Sequence, residues 1–200
     1  MEVCCEVREV HARQRRVLQV VLWINAVMFI VELAAALIAH STALLADSLD
    51  MLGDALVYGF SLYVIGRAHF WQARAALLKG VIMAGFGVGV LIEASTKLAR
   101  GLTPEPGIMS TVALVALLAN AAVLLFLWRH RADDINMRSA YVCSRNDVIA
   151  NAGVLAAALG VAVTGSAWPD ILVGLAIASL VGLSALVVIR QALAVSSTSR

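Results

Sequence analysis

The chain has 200 residues, 62% of them hydrophobic and only 14% charged, with a formal net charge of +2 and a mean hydropathy of +0.90. Soluble domains run about 45–50% apolar and about 25% charged, so this composition belongs to a membrane protein. The small net charge, with no basic stripe interleaved with aromatics, excludes a nucleic-acid partner.

Residues 1–16 are polar and carry Arg8, Arg13, Arg15 and Arg16. The apolar run over 17–39 outlasts the h-region of a signal peptide and reads as the first membrane span. Residues 42–66 form the second span, which carries Asp47, Asp50 and Asp54. A basic loop with Arg67, His69 and Arg74 leads into the third span, 77–96. Pro104-Glu105-Pro106-Gly107 is a strong turn signal before the fourth span, 108–128. The charged loop Arg129-His130-Arg131-Ala132-Asp133-Asp134 follows, then a fifth span over 139–163. Trp168-Pro169-Asp170 opens the sixth, which runs to 189. The expectation is an all-α membrane protein of six helices: an N-terminal segment (1–16), a transmembrane domain (17–190) and a short tail (191–200).

Orientation follows from the distribution of Lys and Arg. Of the 15 such residues, only Lys97 and Arg100 fall on the side of the third-to-fourth loop. This asymmetry places both termini in the cytoplasm.

Two stretches carry the chemistry. Asp50-Met51-Leu52-Gly53-Asp54 and Cys143-Ser144-Arg145-Asn146-Asp147 each set two ligand-type side chains four residues apart within a span. On a helix such pairs share a face, about 5–6 Å apart at Cβ. An Asp at the centre of a span costs about 2.5–3.5 kcal/mol, so Asp50, Asp54 and Asp147 together cost on the order of 8–10 kcal/mol. That rivals the whole stability of a typical protein, about 5–15 kcal/mol. Pairing with Arg145 cannot offset three carboxylates. A structural role therefore loses to a functional one.

Facing each other, the two pairs offer three carboxylates and one thiol to a single cation. Oxygen-only cages suit calcium, magnesium and manganese, whereas a thiolate draws selectivity toward zinc and softer ions, cadmium among them. Such ligands deprotonate to bind metal, so a membrane site of this kind exchanges a cation for protons.

At these residues the sequence resembles the cation diffusion facilitator transporters. Ser41-Thr42-Ala43-Leu44-Leu45-Ala46-Asp47-Ser48-Leu49-Asp50-Met51-Leu52-Gly53-Asp54 is similar to that family's second helix, and Asp147-Val148-Ile149-Ala150-Asn151 to its fifth. Glu93-Ala94 with Pro104, and Pro169-Asp170-Ile171-Leu172-Val173-Gly174-Leu175-Ala176, resemble the third and sixth. The resemblance covers residues 13–192. It implies a six-helix, homodimeric, proton-coupled exporter of zinc and related divalent ions across the bacterial inner membrane, with binding positions Asp50, Asp54, Cys143 and Asp147 and no prosthetic group. Position 143 is Cys where the family commonly has His, which favours softer ions. The cytoplasmic metal-binding domain usual after the sixth helix is expected to be missing.

Other polar residues carry weaker signals. Asp47 precedes Asp50 by three residues and reads as an outer-shell or proton-relay group. Asn151, one turn beyond Asp147, is placed to orient that ligand. Asn25, Glu32 and Asn151 also suit hydrogen bonding between helices. Arg145 lies about 200° around its helix from Cys143 and is expected to snorkel to the interface. Gly85, Gly87 and Gly89 suggest close helix packing rather than a nucleotide loop. His40 reads as an interfacial His near the external mouth. Cys4, Cys5 and His11 form a weak candidate for cytoplasmic metal capture, and His130, Asp133 and Asp134 read as solvated loop charge. Cys4, Cys5 and Cys143 are too few and too scattered for a disulfide framework.

Three functions compete. A secondary transporter exchanging a divalent cation for protons leads. A membrane enzyme is disfavoured, because neither an HExxH motif nor a nucleophile elbow occurs. A non-transporting metal sensor, or one subunit of a heteromeric carrier, is the remaining alternative.

Overall fold

A computed structural model describes the backbone of residues 12–63, 69–128 and 135–198. Six α-helices account for it: α1 (Ala12–Ala39), α2 (Thr42–Tyr63), α3 (His69–Arg100), α4 (Pro106–Trp128), α5 (Ile135–Thr164) and α6 (Trp168–Thr198). The six expected spans are all present, mostly longer than their apolar cores because polar flanking residues continue the helices. Five contain stretches long and apolar enough to cross a membrane; the exception, α2, carries three aspartates. Large apolar residues such as Trp23, Ile30, Leu118, Leu125 and Leu180 face outward, as a lipid-facing surface requires.

Helices α1, α2, α4 and α5 form a ring of neighbours: α1 packs on α2, α4 on α5, α1 on α4 and α2 on α5. Helix α3 packs mainly against α6, and this pair joins the ring through α2 and α5. The turns at one end of the bundle are tightly built. His40 takes a left-handed φ of 50° after α1, and Ser41 N donates to Ala36 O at 3.0 Å. Gly101 and Gly165 do the same after α3 and α5, with φ of 64° and 63°. A residue past the last helical turn adopts this conformation to satisfy terminal carbonyls, and glycine does so without a Cβ clash. Glu105 N donates to Ala39 O at 3.0 Å, tying the α3–α4 turn to the end of α1.

Buried side chains fall into layers. Toward the turn end, one apolar cluster joins Ala35, Ala36 and Ala39 of α1 with Leu44 and Leu49 of α2, Met109 and Ala113 of α4, and Val154, Ala157 and Ala158 of α5. Toward the terminal end, a second joins Leu18 and Val21, Val57 and Tyr58, Val123 and Leu127, and Ala140. Between these positions on the ring helices lie the buried polar residues Asn25 and Glu32 on α1, Asp54 on α2, Asn120 on α4, and Cys143, Ser144, Asp147 and Asn151 on α5, while Asp47 of α2 is buried at the turn-side edge, between Leu44 and Leu49. A smaller apolar cluster of Met28, Met51 and Ala116 sits among them. A polar layer thus crosses the four-helix ring between two apolar seals.

Gly85, Gly87 and Gly89 make no close packing within the described residues of the chain: a Cβ added at any of them meets nothing within 4 Å there. Close approach occurs instead at Gly174, where a Cβ would come within 2.7 Å of the Thr42 backbone, and at Gly160 against Pro169.

Candidate metal site

Asp50 and Asp54 lie one turn apart on α2, Asp54 buried and Asp50 half-buried; Cys143 and Asp147 lie one turn apart and buried on α5. The packing of α2 on α5 brings the two pairs into one layer, and Asp147 stands within electrostatic reach of Asp54, Asp50, Asp47 and Glu32. Tyr58 Oη, one turn beyond Asp54, donates to Asp54 Oδ2 at 3.4 Å. Asp147 Oδ2 and Ser144 Oγ are buried without a hydrogen-bond partner among the described residues. Among the described residues no three His, Cys, Asp or Glu side chains close on one point tightly enough for a metal ion. The pairs share one layer but, among the described residues, do not form a closed cage.

Cys143 is disulfide-bonded, and sulfur in that form offers no thiolate. Cys4, Cys5, His11, His130, Asp133 and Asp134 lie outside the described residues.

Asn151 hydrogen-bonds between helices, as expected, but with other partners than Asp147. Asn151 does not orient Asp147: its Nδ2 donates to Asp47 Oδ2 at 2.6 Å, and its Oδ1 accepts from Asn120 Nδ2 at 3.0 Å. One turn of α5 carries Asn151 past Asp147 and level with Asp47, since α2 and α5 place their turn-side residues together. Asn120, which sequence reasoning missed, therefore links α4 to α5 and, through Asn151, to α2. An amide inside an otherwise apolar span was the available signal. Among the described residues Asn25 makes no bond between helices, donating instead to Val21 O of its own helix at 2.9 Å, and Glu32 makes none either. Arg145 is exposed, as expected, while Lys79 of α3 supplies a positive field at Asp50.

A second buried polar group lies at the turn end. Ser41 caps α2, its Oγ accepting from Leu44 N at 3.1 Å and donating to Asp170 Oδ1 at 2.6 Å. Thr42 N and Ala43 N donate to the same Asp170 carboxylate at 2.8 and 3.0 Å, the favoured position for an anion at a helix N-terminus. Lys97 of α3, counted from sequence as a loop charge, is instead fully buried and pairs with Asp170 and the Thr42 hydroxyl. This knot fixes where α2 starts, and with it the height of Asp47, Asp50 and Asp54.

The family model described as the cation efflux transmembrane domain matches residues 18–195. The metal cation efflux system protein CzcD of Cupriavidus metallidurans is 27% identical over 180 residues, covering 84% of this chain and 56% of the relative. The cation efflux system protein CzcD of an Alcaligenes species matches with the same identity and coverage. The chain thus spans little more than half the length of these curated relatives.

Proposed function

The chain belongs to the cation efflux family, which it matches over residues 18–195, and from that premise we propose that it forms the membrane part of a secondary transporter. It carries divalent metal cations, zinc and cadmium foremost, out of the cytoplasm in exchange for protons. The observation that carries this reading is the sealed polar layer. Acids from α2 and α5 share one electrostatic environment between two apolar clusters. Ionisable groups kept at membrane depth mark ion or proton pathways.

Asp50, Asp54, Asp147 and, in the reduced chain, Cys143 are the proposed ligands. The cation is cargo, and no prosthetic group takes part. Loading requires α2 and α5 to draw the two pairs together, and each carboxyl or thiol that binds metal gives up its proton. Opening one apolar seal while the other holds exposes the layer to one side at a time, which is the general scheme of alternating access. The proposed setting is the inner membrane of a bacterium, with both termini in the cytoplasm and a homodimer as the working unit.

The test is proton flux driven by a zinc or cadmium gradient in proteoliposomes. Wild type should show metal-dependent flux, and Asp54→Ala and Asp147→Ala should abolish it. Flux unchanged in both variants sinks the reading.

A further inference from the structure

Glu32 has no place in that account, yet it is the most exposed problem in the polar layer. Its side chain is fully buried on α1, and neither carboxylate oxygen has a hydrogen-bond partner among the described residues. A buried polar group without a partner is costly, a carboxylate most of all. Asp47 of the neighbouring helix lies within its electrostatic reach, as does Asp50. Asp47 is also fully buried; Asn151 holds its Oδ2, while Oδ1 has no partner.

Three uncommitted oxygens from two adjacent helices therefore share this part of the layer. Glu32 lies seven residues before the end of α1, and Asp47 five after the start of α2. At 1.5 Å per residue both stand about 8–10 Å from the α1–α2 turn, whereas Asp54 stands about 18 Å from it. The donor set contains neither sulfur nor imidazole. Oxygen donors of this kind suit hard cations, and small divalent ions are often held by one or two carboxylates with water completing the shell.

We infer that Glu32 and Asp47 form a second cation site, all-oxygen in character, on the turn side of the Asp50–Asp54–Cys143–Asp147 group, taking a hard divalent cation. The inference rests on reading the polar layer as an ion path, but not on the ligand set proposed above. The Asn151–Asn120 chain positions one oxygen of Asp47 and leaves the other for the ion. A thiolate-bearing group on one side and an oxygen-only group on the other make successive stations of unequal softness.

Manganese is the probe, counted by electron paramagnetic resonance after equilibrium dialysis of the purified full chain in detergent. Wild type should bind an equivalent of Mn2+ that survives Asp147→Asn. That equivalent should be lost, with affinity down at least tenfold, in both Glu32→Gln and Asp47→Asn, each judged by circular dichroism and gel filtration to be folded. Either variant carries the test if the other fails to fold. Should both aggregate, Glu32→Asp keeps the charge and should retain the equivalent with weakened affinity; loss of the equivalent there counts against the site. Full retention of Mn2+ in Glu32→Gln, or no Mn2+ bound by wild type, overturns the inference. Metal binding unchanged by Asp147→Asn together with flux unchanged by Asp147→Ala would count against the proposed transport ligands and leave this site standing.

Discussion

Lys97 Nζ of α3 and Asp170 Oδ2 of α6 lie 2.5 Å apart with both side chains fully buried. The pair is part of a larger arrangement, because the same carboxylate accepts hydrogen bonds from Ser41 and from the first backbone amides of α2. One acid therefore fastens three helices at the end where the chain turns. Removing one member of a buried ion pair costs about 3–5 kcal/mol, chiefly by stranding the other charge.

Asp170→Ala strands Lys97 and also frees the α2 amides, so it should destabilise by at least that amount. Lys97→Met should cost less, since Asp170 keeps its donors from α2. Thermal unfolding in detergent, followed by circular dichroism, should rank the variants in that order. Equal losses would mean that the α2 cap contributes nothing.

Gly174 and Gly89 provide a contrast within the same residue type. A Cβ at Gly174 would meet the Thr42 carbonyl carbon at 2.7 Å, whereas at Gly89 it meets nothing within 4 Å. Overpacking against backbone costs about 1–3 kcal/mol, and helical Gly→Ala without a clash gains roughly 0.5–1 kcal/mol. Gly174→Ala should lower the melting midpoint and Gly89→Ala should hold or raise it.

The amides should separate in the same way. Asn151→Leu leaves a buried oxygen of Asp47 without its donor, a loss of about 1–3 kcal/mol. Among the described residues Asn25 donates only to its own helix, and its buried Oδ1 has no partner. Asn25→Leu should be neutral or stabilising. Denaturant or thermal melts of the two variants decide it.

Cys143 is where metal preference should be set. Calorimetric titration of reduced wild type and Cys143→His should show cadmium weakened more than zinc, because the thiolate is the softer donor. An equal loss for both ions refutes the softness argument. Oxidised wild type should bind cadmium more weakly than reduced, since the disulfide removes the thiolate.

Composition and periodicity made five spans legible, because each must bury about 20 apolar residues in lipid whatever its neighbours do, and α2 showed as the segment between them with aspartates at helical spacing. The pairs Asp50–Asp54 and Cys143–Asp147 were legible for a related reason: i and i+4 share a face in any helix. The inter-helix hydrogen bonding of Asn151 was legible too, as an amide inside a span, but its partner was not. Spacing along α5 brings it near Asp147, and only the height of α2 against α5 brings it to Asp47. Lys97 looked like a loop charge because its position at the end of a span fits one; its burial depends on Asp170, 73 residues away. Gly85, Gly87 and Gly89 show the converse, a packing pattern at positions where an added Cβ meets nothing within 4 Å among the described residues.

The sequence by itself determined that this is a six-helix membrane protein with acids at membrane depth. Lipid charges a fixed cost for each exposed polar group, and helical periodicity is local. Only the tertiary structure decided which polar groups share a layer, which of them stand without partners among the described residues, and that Lys97 belongs to the interior. Those outcomes depend on helix neighbours and relative heights, which packing and the Asp170 knot set and which no local pattern encodes.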